Sequence, residues 1–350
     1  YVPLNPRAAE AERAKIIDRI DPAAIVTVDG IEARPSSATF DPDTALIQFT
    51  SGTTGDPKAV QLTHSGVAKL LDGVIATLKT SDADKTPMPN LVPVSLSLWA
   101  GIYQVLFAYT IGAGVIVMDG FAPAEFARLV QQFGIRSTVL PPAAMTSLAD
   151  DPDVSDLTPL KYVRSITAPL SPLQARRFVD KFGTAVLNCW GQTEIGGEIV
   201  GWSAADWKEF HTTKLGAVGR PHRGVQIRAE ENGELVVMTP ALSAGYADGR
   251  DFSDRLTADG WFRTGDIGSV DDDGFVWIDG RVSDMINRGG LKVHPGEVEE
   301  VLRLHPSIAD AAVVGVPDDR LGEVPWAFVV LADAAELDPP ALEAAIRESL

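Results

Sequence analysis

The chain has 350 residues and 45% apolar side chains, enough for a large core and for more than one domain. Its formal charge of -18, with no basic stripe, disfavours nucleic acid and anionic membrane surfaces; a bound anion has to be held locally, by backbone N–H groups, a helix N-terminus and one or two cations. A single cysteine, Cys189, rules out an intramolecular disulfide and, with no signal peptide in the sequence, fits a cytoplasmic location.

In chain order, Asn5–Ile20 is predicted to be a helix and Ala23–Val28 a strand. A further strand is expected to end at Phe49, followed by a loop up to a helix over His64–Thr80, which places Val67, Leu70, Leu71, Val74, Ile75 and Leu78 on one face. The apolar run Leu96–Met118 is interrupted by Gln104, Gly112 and Gly114; it reads as a buried helix and a strand, not as a membrane span. Gly114–Asp119 is a strand, Pro123–Gly134 a helix closed by its glycine, and Arg136–Pro142, Tyr162–Ala168 and Ala185–Trp190 are three more short strands. This alternation argues for a helix-covered, mostly parallel sheet, with ligands outside the C-terminal ends of its strands.

From about residue 215 the pattern turns β-rich, with hairpins at Val225–Met238, around Glu231-Asn232-Gly233, and at Trp261–Gly280, turning over Asp271–Gly274. After about residue 282 come a strand, the helix Gly296–His305, strands Asp310–Val316 and Pro325–Ala332, and a last helix. The expected fold is α/β: a large region over 1–280 that includes a β-rich subdomain at 215–280, a hinge at 281–284, and a small α/β domain over 285–350. The chain opens on "YVPLNP" without Met, in a strand pattern, and stops at "AIRESL" in a helical one, so both ends read as cut.

Four stretches carry chemistry. In "TSGTTGDPKAVQLTH", Gly52 and Gly55 permit tight turns, Thr50, Ser51, Thr53 and Thr54 offer hydroxyls, and Lys58 offers a cation, a set suited to a triphosphate. It is not a Walker A loop, because no glycine precedes Lys58 and no hydroxyl follows it. In "NCWGQTEIGG", Trp190 is either a flat face for a purine or a core aromatic, and Glu194 either a hard ligand for Mg2+ or a solvated loop acid; Thr193 offers a hydroxyl to phosphate. Asp266, in "WFRTGDIG", is either an acceptor for two ribose hydroxyls or a turn acid. Within Asp279–Glu300, Arg281 is a bidentate donor, and Gly289 and Gly290 suit a backbone passing close to a long thin ligand. No Gly-x-Ser-x-Gly elbow is present, and the five histidines and Cys189 lack zinc-ligand spacing.

These stretches, with the turn "TAPLS" and the β-rich segment from Leu215, resemble in wording and order the motifs of the adenylate-forming superfamily: acyl-CoA synthetases, luciferases and peptide-synthetase adenylation domains. The resemblance implies ATP, Mg2+ and CoA as cofactors. It places Thr50, Ser51, Gly52, Thr53, Thr54, Gly55 and Lys58 on the phosphates and Ala168, Pro169 and Trp190 along the adenine, with Gly191 and Gln192 also binding the cofactor. It also puts Thr193 on phosphate, Glu194 on the metal, Asp266 on the ribose, and Gly289 and Gly290 beside the pantetheine of CoA or of a carrier protein, while Arg281 suits ribose or phosphate oxygens. Lys58, Thr193 and Glu194 are the implied catalytic residues.

The implied reaction is activation of a small-molecule carboxylic acid to acyl-AMP with release of pyrophosphate, then transfer to the thiol of CoA. The alternatives are delivery to a carrier-protein thiol, or a catalytically impaired homologue that still binds nucleotide. Three departures stand out. Ser283 occupies the hinge position where Asp or Lys is usual. The family's C-terminal lysine falls beyond Leu350, and a protein ending there is expected to adenylate poorly. "PVSLSLWAG" lacks the family's aromatic-His pair; Leu98 is expected in the core, while Ser95, Ser97 and Trp99 line the acid site or cover the core.

Overall fold

The structure is a computed structural model that describes residues 1–50, 57–75, 88–305, 307–332 and 340. The chain forms two compact units, one of Tyr1–Gln226 with Met238–Leu256, the other of Ile227–Val237 with the residues from Thr257 onward. The β-rich strands therefore group with the C-terminal residues.

In the first unit, helix α1 (Glu10–Ile20) carries Glu10 and Glu12 in its first turn and Arg19 in its last, matching the helix dipole. It starts later than expected because Ala9, the N-cap, is still extended. Strand β1 (Ala24–Thr27) does not join a parallel sheet. It pairs antiparallel with β2 (Gly30–Ala33), with Thr27 opposite Gly30. A two-residue reversal can only return the chain antiparallel, since a parallel partner needs a crossover.

A second correction concerns the segment before His64. Strand β3 (Thr44–Thr50) pairs antiparallel with β4 (Lys58–Thr63), so half of the expected loop is strand. Burial of Ala59, Val60 and Leu62 supplies the driving force. Helix α2 (His64–Ile75) follows directly.

The parallel part matches expectation from the Trp99–Thr110 helix onward. β5 (Asn90–Val92), α3 (Trp99–Thr110), β6 (Val115–Val117), α4 (Pro123–Phe133), β7 (Ser137–Leu140), α5 (Pro142–Asp150), β8 (Tyr162–Ser165), α6 (Pro172–Phe182) and β9 (Ala185–Gln192) alternate. β5 pairs with β6, β7 with β8, and β8 with β9, all parallel. The Thr138 hydroxyl donates to the Leu91 carbonyl at 2.7 Å, fastening β7 beside β5. Phe126, Leu140, Met145, Leu148 and Phe178 fill the core between sheet and helices. Beyond β9 the sheet turns antiparallel, through β10 (Gly197–Gly201) and, after α7 (Ala204–Phe210), β11 (Arg220–Pro221).

In the second unit, β12 (Gln226–Ala229), β13 (Glu234–Met238), β14 (Phe262–Val270) and β15 (Val276–Arg281) make a four-stranded sheet in sequence order, with the expected Asp271–Gly274 turn. β16 (Ile286–Arg288), β17 (Leu291–Val293), α8 (Pro295–Arg303), β18 (Ile308–Asp318) and β19 (Gly322–Leu331) form a second sheet in the order β17-β16-β19-β18. Ile286, Leu302, Ile308, Ala311 and Val313 are the core between this sheet and α8.

Candidate active site

The β3–β4 hairpin holds the two feet of the phosphate-loop segment. Ser51, Gly52, Thr53, Thr54 and Gly55 lie outside the described residues. Thr50 and Lys58 face each other as the last pair of the ladder, and the Thr50 hydroxyl donates to the Lys58 carbonyl at 3.5 Å. The Lys58 ammonium stands 5.9 Å from the centre of the Tyr246 ring. Arg19 anchors the second foot: it donates to the Pro57 carbonyl at 2.6 Å and pairs with Asp248 at 2.9 Å. Hydrogen bonds from Arg250 hold the Asp248 carboxyl down at about 2.

The other site residues of this unit leave the C-terminal ends of two neighbouring parallel strands. Ser165 of β8 is in register with Asn188 of β9; Ala168 and Pro169 follow the first as exposed residues, Trp190 to Glu194 follow the second. Trp190 is half-buried. Gly191 is required by packing, because a Cβ there would fall 1.8 Å from the Gly197 carbonyl oxygen on β10. Gln192 ends β9, and Thr193–Ile195 form a single helical turn closed by Gly196 at φ 90°. The Trp99 indole N–H donates to the Gly196 carbonyl at 2.9 Å and fixes that turn. Trp99 is therefore a buried support, while Leu98, expected in the core, is 45% exposed: it precedes the first turn of α3 as its N-cap, off the buried face.

A segment without an assigned role joins hairpin and turn. The Ser243 N–H donates to the Glu194 carbonyl at 2.8 Å, Gln61 and Ala244–Gly245 exchange backbone bonds, and the Ala247 N–H reaches the Ala59 carbonyl at 2.7 Å. The hairpin that carries Lys58 and the turn that carries Thr193 and Glu194 thus belong to one hydrogen-bonded construction.

The Glu194 side chain is 11% exposed and lies 3.5 Å from Arg255 Nη1. Among the described residues no group of three or more His, Cys, Asp or Glu side chains could hold a metal ion. One carboxylate oxygen donor fits Mg2+ in the way that ion is commonly held beside phosphates, with phosphate oxygens and water completing the shell.

In the second unit Asp266 and Arg281 are cross-strand partners on β14 and β15, with Arg281 Nε 3.2 Å from Asp266 Oδ1. Asp266 is 3% exposed, whereas the Arg281 side chain is 54% exposed. Gly289 and Gly290 form the two-residue turn between β16 and β17, at φ 61° and 93°, a conformation that favours glycine for its own sake. Ser283 bonds the neighbouring Asp284 at 2.7 Å.

Sequence reasoning missed a polar cluster on β8, β10 and the chain after β11. Glu198 Oε1 accepts from Arg164 Nη1 and lies 2.8 Å from His222 Nε2. Burial pushes the Glu198 carboxyl up, but Arg164 and the hydrogen bond with His222 outweigh it and hold the group at about 2. Burial and the Glu198 charge push both the Tyr103 phenol and the Cys189 thiol up, so both stay protonated. The available signal was charged residues, Arg164 and Glu198, inside otherwise apolar strands.

No helix among the described residues is long and apolar enough to cross a membrane. The AMP-binding enzyme family matches residues 29–247, and the AMP-binding enzyme C-terminal domain matches residues 297–350. A medium/long-chain-fatty-acid–CoA ligase of Mycobacterium tuberculosis is 33% identical over 327 residues, covering 89% of this chain and 56% of the relative. The chain thus spans little more than half the length of that relative. Of solved structures, o-succinylbenzoate CoA synthetase from Bacillus subtilis, in complex with its acyl-adenylate intermediate, aligns with a TM-score of 0.77 at 26% identity, over 91% of this chain and 66% of that one. An amide bond synthetase from Marinactinospora thermotolerans aligns with a TM-score of 0.82 at 28% identity, over 100% of this chain and 78% of that one.

Proposed function

The chain belongs to the AMP-binding enzyme family, and we propose that it works as an AMP-forming acid–thiol ligase. A carboxylic acid is a poor acyl donor because oxide is a poor leaving group. In the proposed first step a carboxylate oxygen attacks the α-phosphorus of ATP, the bond to the bridging oxygen of pyrophosphate breaks, and acyl-AMP remains. In the second step a thiol attacks the acyl carbon, loses its proton, and AMP leaves with the oxygen that joined it to the acid.

The observation that carries this reading is the hydrogen-bonded junction through Ser243–Ala247. It puts Lys58 and the Thr193–Glu194 turn on one construction at the C-terminal end of the sheet. The first step brings two anions together, so its main requirement is electrostatic. Lys58 and the hydroxyls of Thr50 and Thr193 serve the phosphates, and Ala168, Pro169, Trp190, Gly191 and Gln192 serve the adenine. Glu194 holds Mg2+, which when bound neutralises phosphate charge. Asp266 and Arg281 serve the ribose, and Gly289 and Gly290 the pantetheine arm. The acid arrives ionised and needs no general base.

CoA is the proposed acceptor, on the strength of the CoA ligase relative. The amide bond synthetase among the structural neighbours favours a second reading for the acceptor alone, since that protein's name implies a nitrogen nucleophile. The cytoplasm is the proposed location.

The test is pyrophosphate release by the purified protein with ATP, Mg2+ and a panel of carboxylic acids, with and without CoA. Release that depends on an acid, with AMP as co-product, is expected. ADP and phosphate as products, or release indifferent to every acid, contradicts the proposal.

A further inference from the structure

Among the described residues no carboxylate pairs with the Lys58 ammonium and no oxygen accepts from it. What it meets is an aromatic face, with the centre of the Tyr246 ring 5.9 Å away. Asp248, two residues after Tyr246, is already taken: it pairs with Arg19 at 2.9 Å and with Arg250 at 2.7 Å. Arg250 also lies 5.2 Å from the centre of the Tyr246 ring, but its charge is met by Asp248. Lys58 is thus the cation on this ring that keeps its charge unpaired.

The ring is firmly placed. Tyr246 is 5% exposed. Its N–H donates to the Arg250 carbonyl at 2.8 Å, and its carbonyl accepts from Gln61 Nε2 at 2.9 Å, on the strand that carries Lys58. Val60 of that strand forms a bridge with Tyr246. Phe252 stands edge-on to the ring, with 5.1 Å between centres and 87° between planes. The Tyr246 hydroxyl is buried with no hydrogen-bond partner, so what this side chain offers its surroundings is its aromatic face.

We propose that Tyr246 is a positioning residue for ATP, its ring holding the Lys58 ammonium ready for the phosphates. The inference rests on the reading of Lys58 given above. An ammonium is attracted to the negative face of an aromatic ring. A carboxylate in the same place would attract it too, but would cancel its charge and occupy N–H donors that a phosphate needs. The ring leaves the charge and all three donors in place. A lysine stem is flexible, and ordering it costs rotamer freedom. The ring supplies part of that order before ATP arrives.

The experiment measures Mg-ATP affinity by calorimetry, with no acid present. Tyr246→Leu removes the ring and is expected to weaken binding by about two- to fivefold. Tyr246→Phe is expected to restore it, because the hydroxyl it lacks bonds nothing in the protein. In a Lys58→Met background, Tyr246→Leu is expected to cause no further loss. Phenylalanine bearing one, two or three ring fluorines at position 246 keeps the shape and weakens the negative face, so affinity is expected to fall step by step. That series decides the matter even where Tyr246→Leu does not fold. If affinity is flat across the series, or if the loss in Tyr246→Leu persists in full without Lys58, this inference is overturned and the ligase reading stands. If Mg-ATP does not bind the unaltered protein, both fall.

Discussion

Arg255 Nη1 stands 3.5 Å from Glu194 Oε1, so the carboxylate proposed for Mg2+ already has a cation beside it. A metal ion drawing on Glu194 competes with that pairing. The variant Glu194→Gln keeps the shape and removes the charge. Acid-dependent pyrophosphate release should fall by about a hundredfold, and the Mg2+ concentration giving half-maximal rate should rise. A rate and a metal requirement like those of the unaltered protein would remove Glu194 from the proposed role.

Glu198 makes a prediction for stability. Its carboxyl is held at about 2 in the folded protein, below the ordinary 4.5. A depressed carboxyl contributes stability that is fully present above the unfolded value and is lost as pH falls through the folded one. Melting temperature should therefore decline between about pH 5 and pH 2, more steeply than in Glu198→Ala. At neutral pH that variant should be about 3 kcal/mol less stable in urea unfolding, because it leaves Arg164 without its partner. Equal slopes in acid would show that the pair contributes nothing.

Gly191 tests the packing of the Thr193 turn. A Cβ there meets backbone, not a flexible side chain, so β9 and β10 have to separate. Gly191→Ala should cost about 3 kcal/mol, the upper range for overpacking, and depress AMP binding with it. Unchanged urea midpoints would mean that the β9–β10 approach is looser than described.

Gly290 separates the two half-reactions. Its φ of 93° makes any side chain strained, and it is a proposed neighbour of pantetheine. Gly290→Ala should raise the half-saturating CoA concentration while acid-dependent ATP–pyrophosphate exchange continues at its former rate. Equal losses in both steps would assign the glycine to folding alone.

What the sequence made legible depended on how local each feature is. The alternation from β5 to β9 follows from short apolar runs and helix stops such as Gly134, whose causes lie within a few residues. Lys58–Thr63 was harder, because glycine and threonine dominate the surrounding composition while the strand is set by burial of Ala59, Val60 and Leu62 against distant residues. Thr193, Glu194 and Asp266 were legible as wording, yet their partners were not: Arg255 and Arg281 reach them only through the fold. The Arg164–Glu198–His222 cluster joins residues 34 and 24 positions apart, and only the side-by-side order of β8, β9 and β10 creates it.

The central claim is that a carboxylate oxygen becomes bonded to the α-phosphorus of ATP. The direct measurement uses an acid whose carboxylate carries heavy oxygen, with ATP, Mg2+ and CoA, and reads the mass of the products. The account predicts AMP heavier by one labelled oxygen and unlabelled pyrophosphate. Unlabelled AMP, or label in inorganic phosphate with ADP as the nucleotide product, would contradict it.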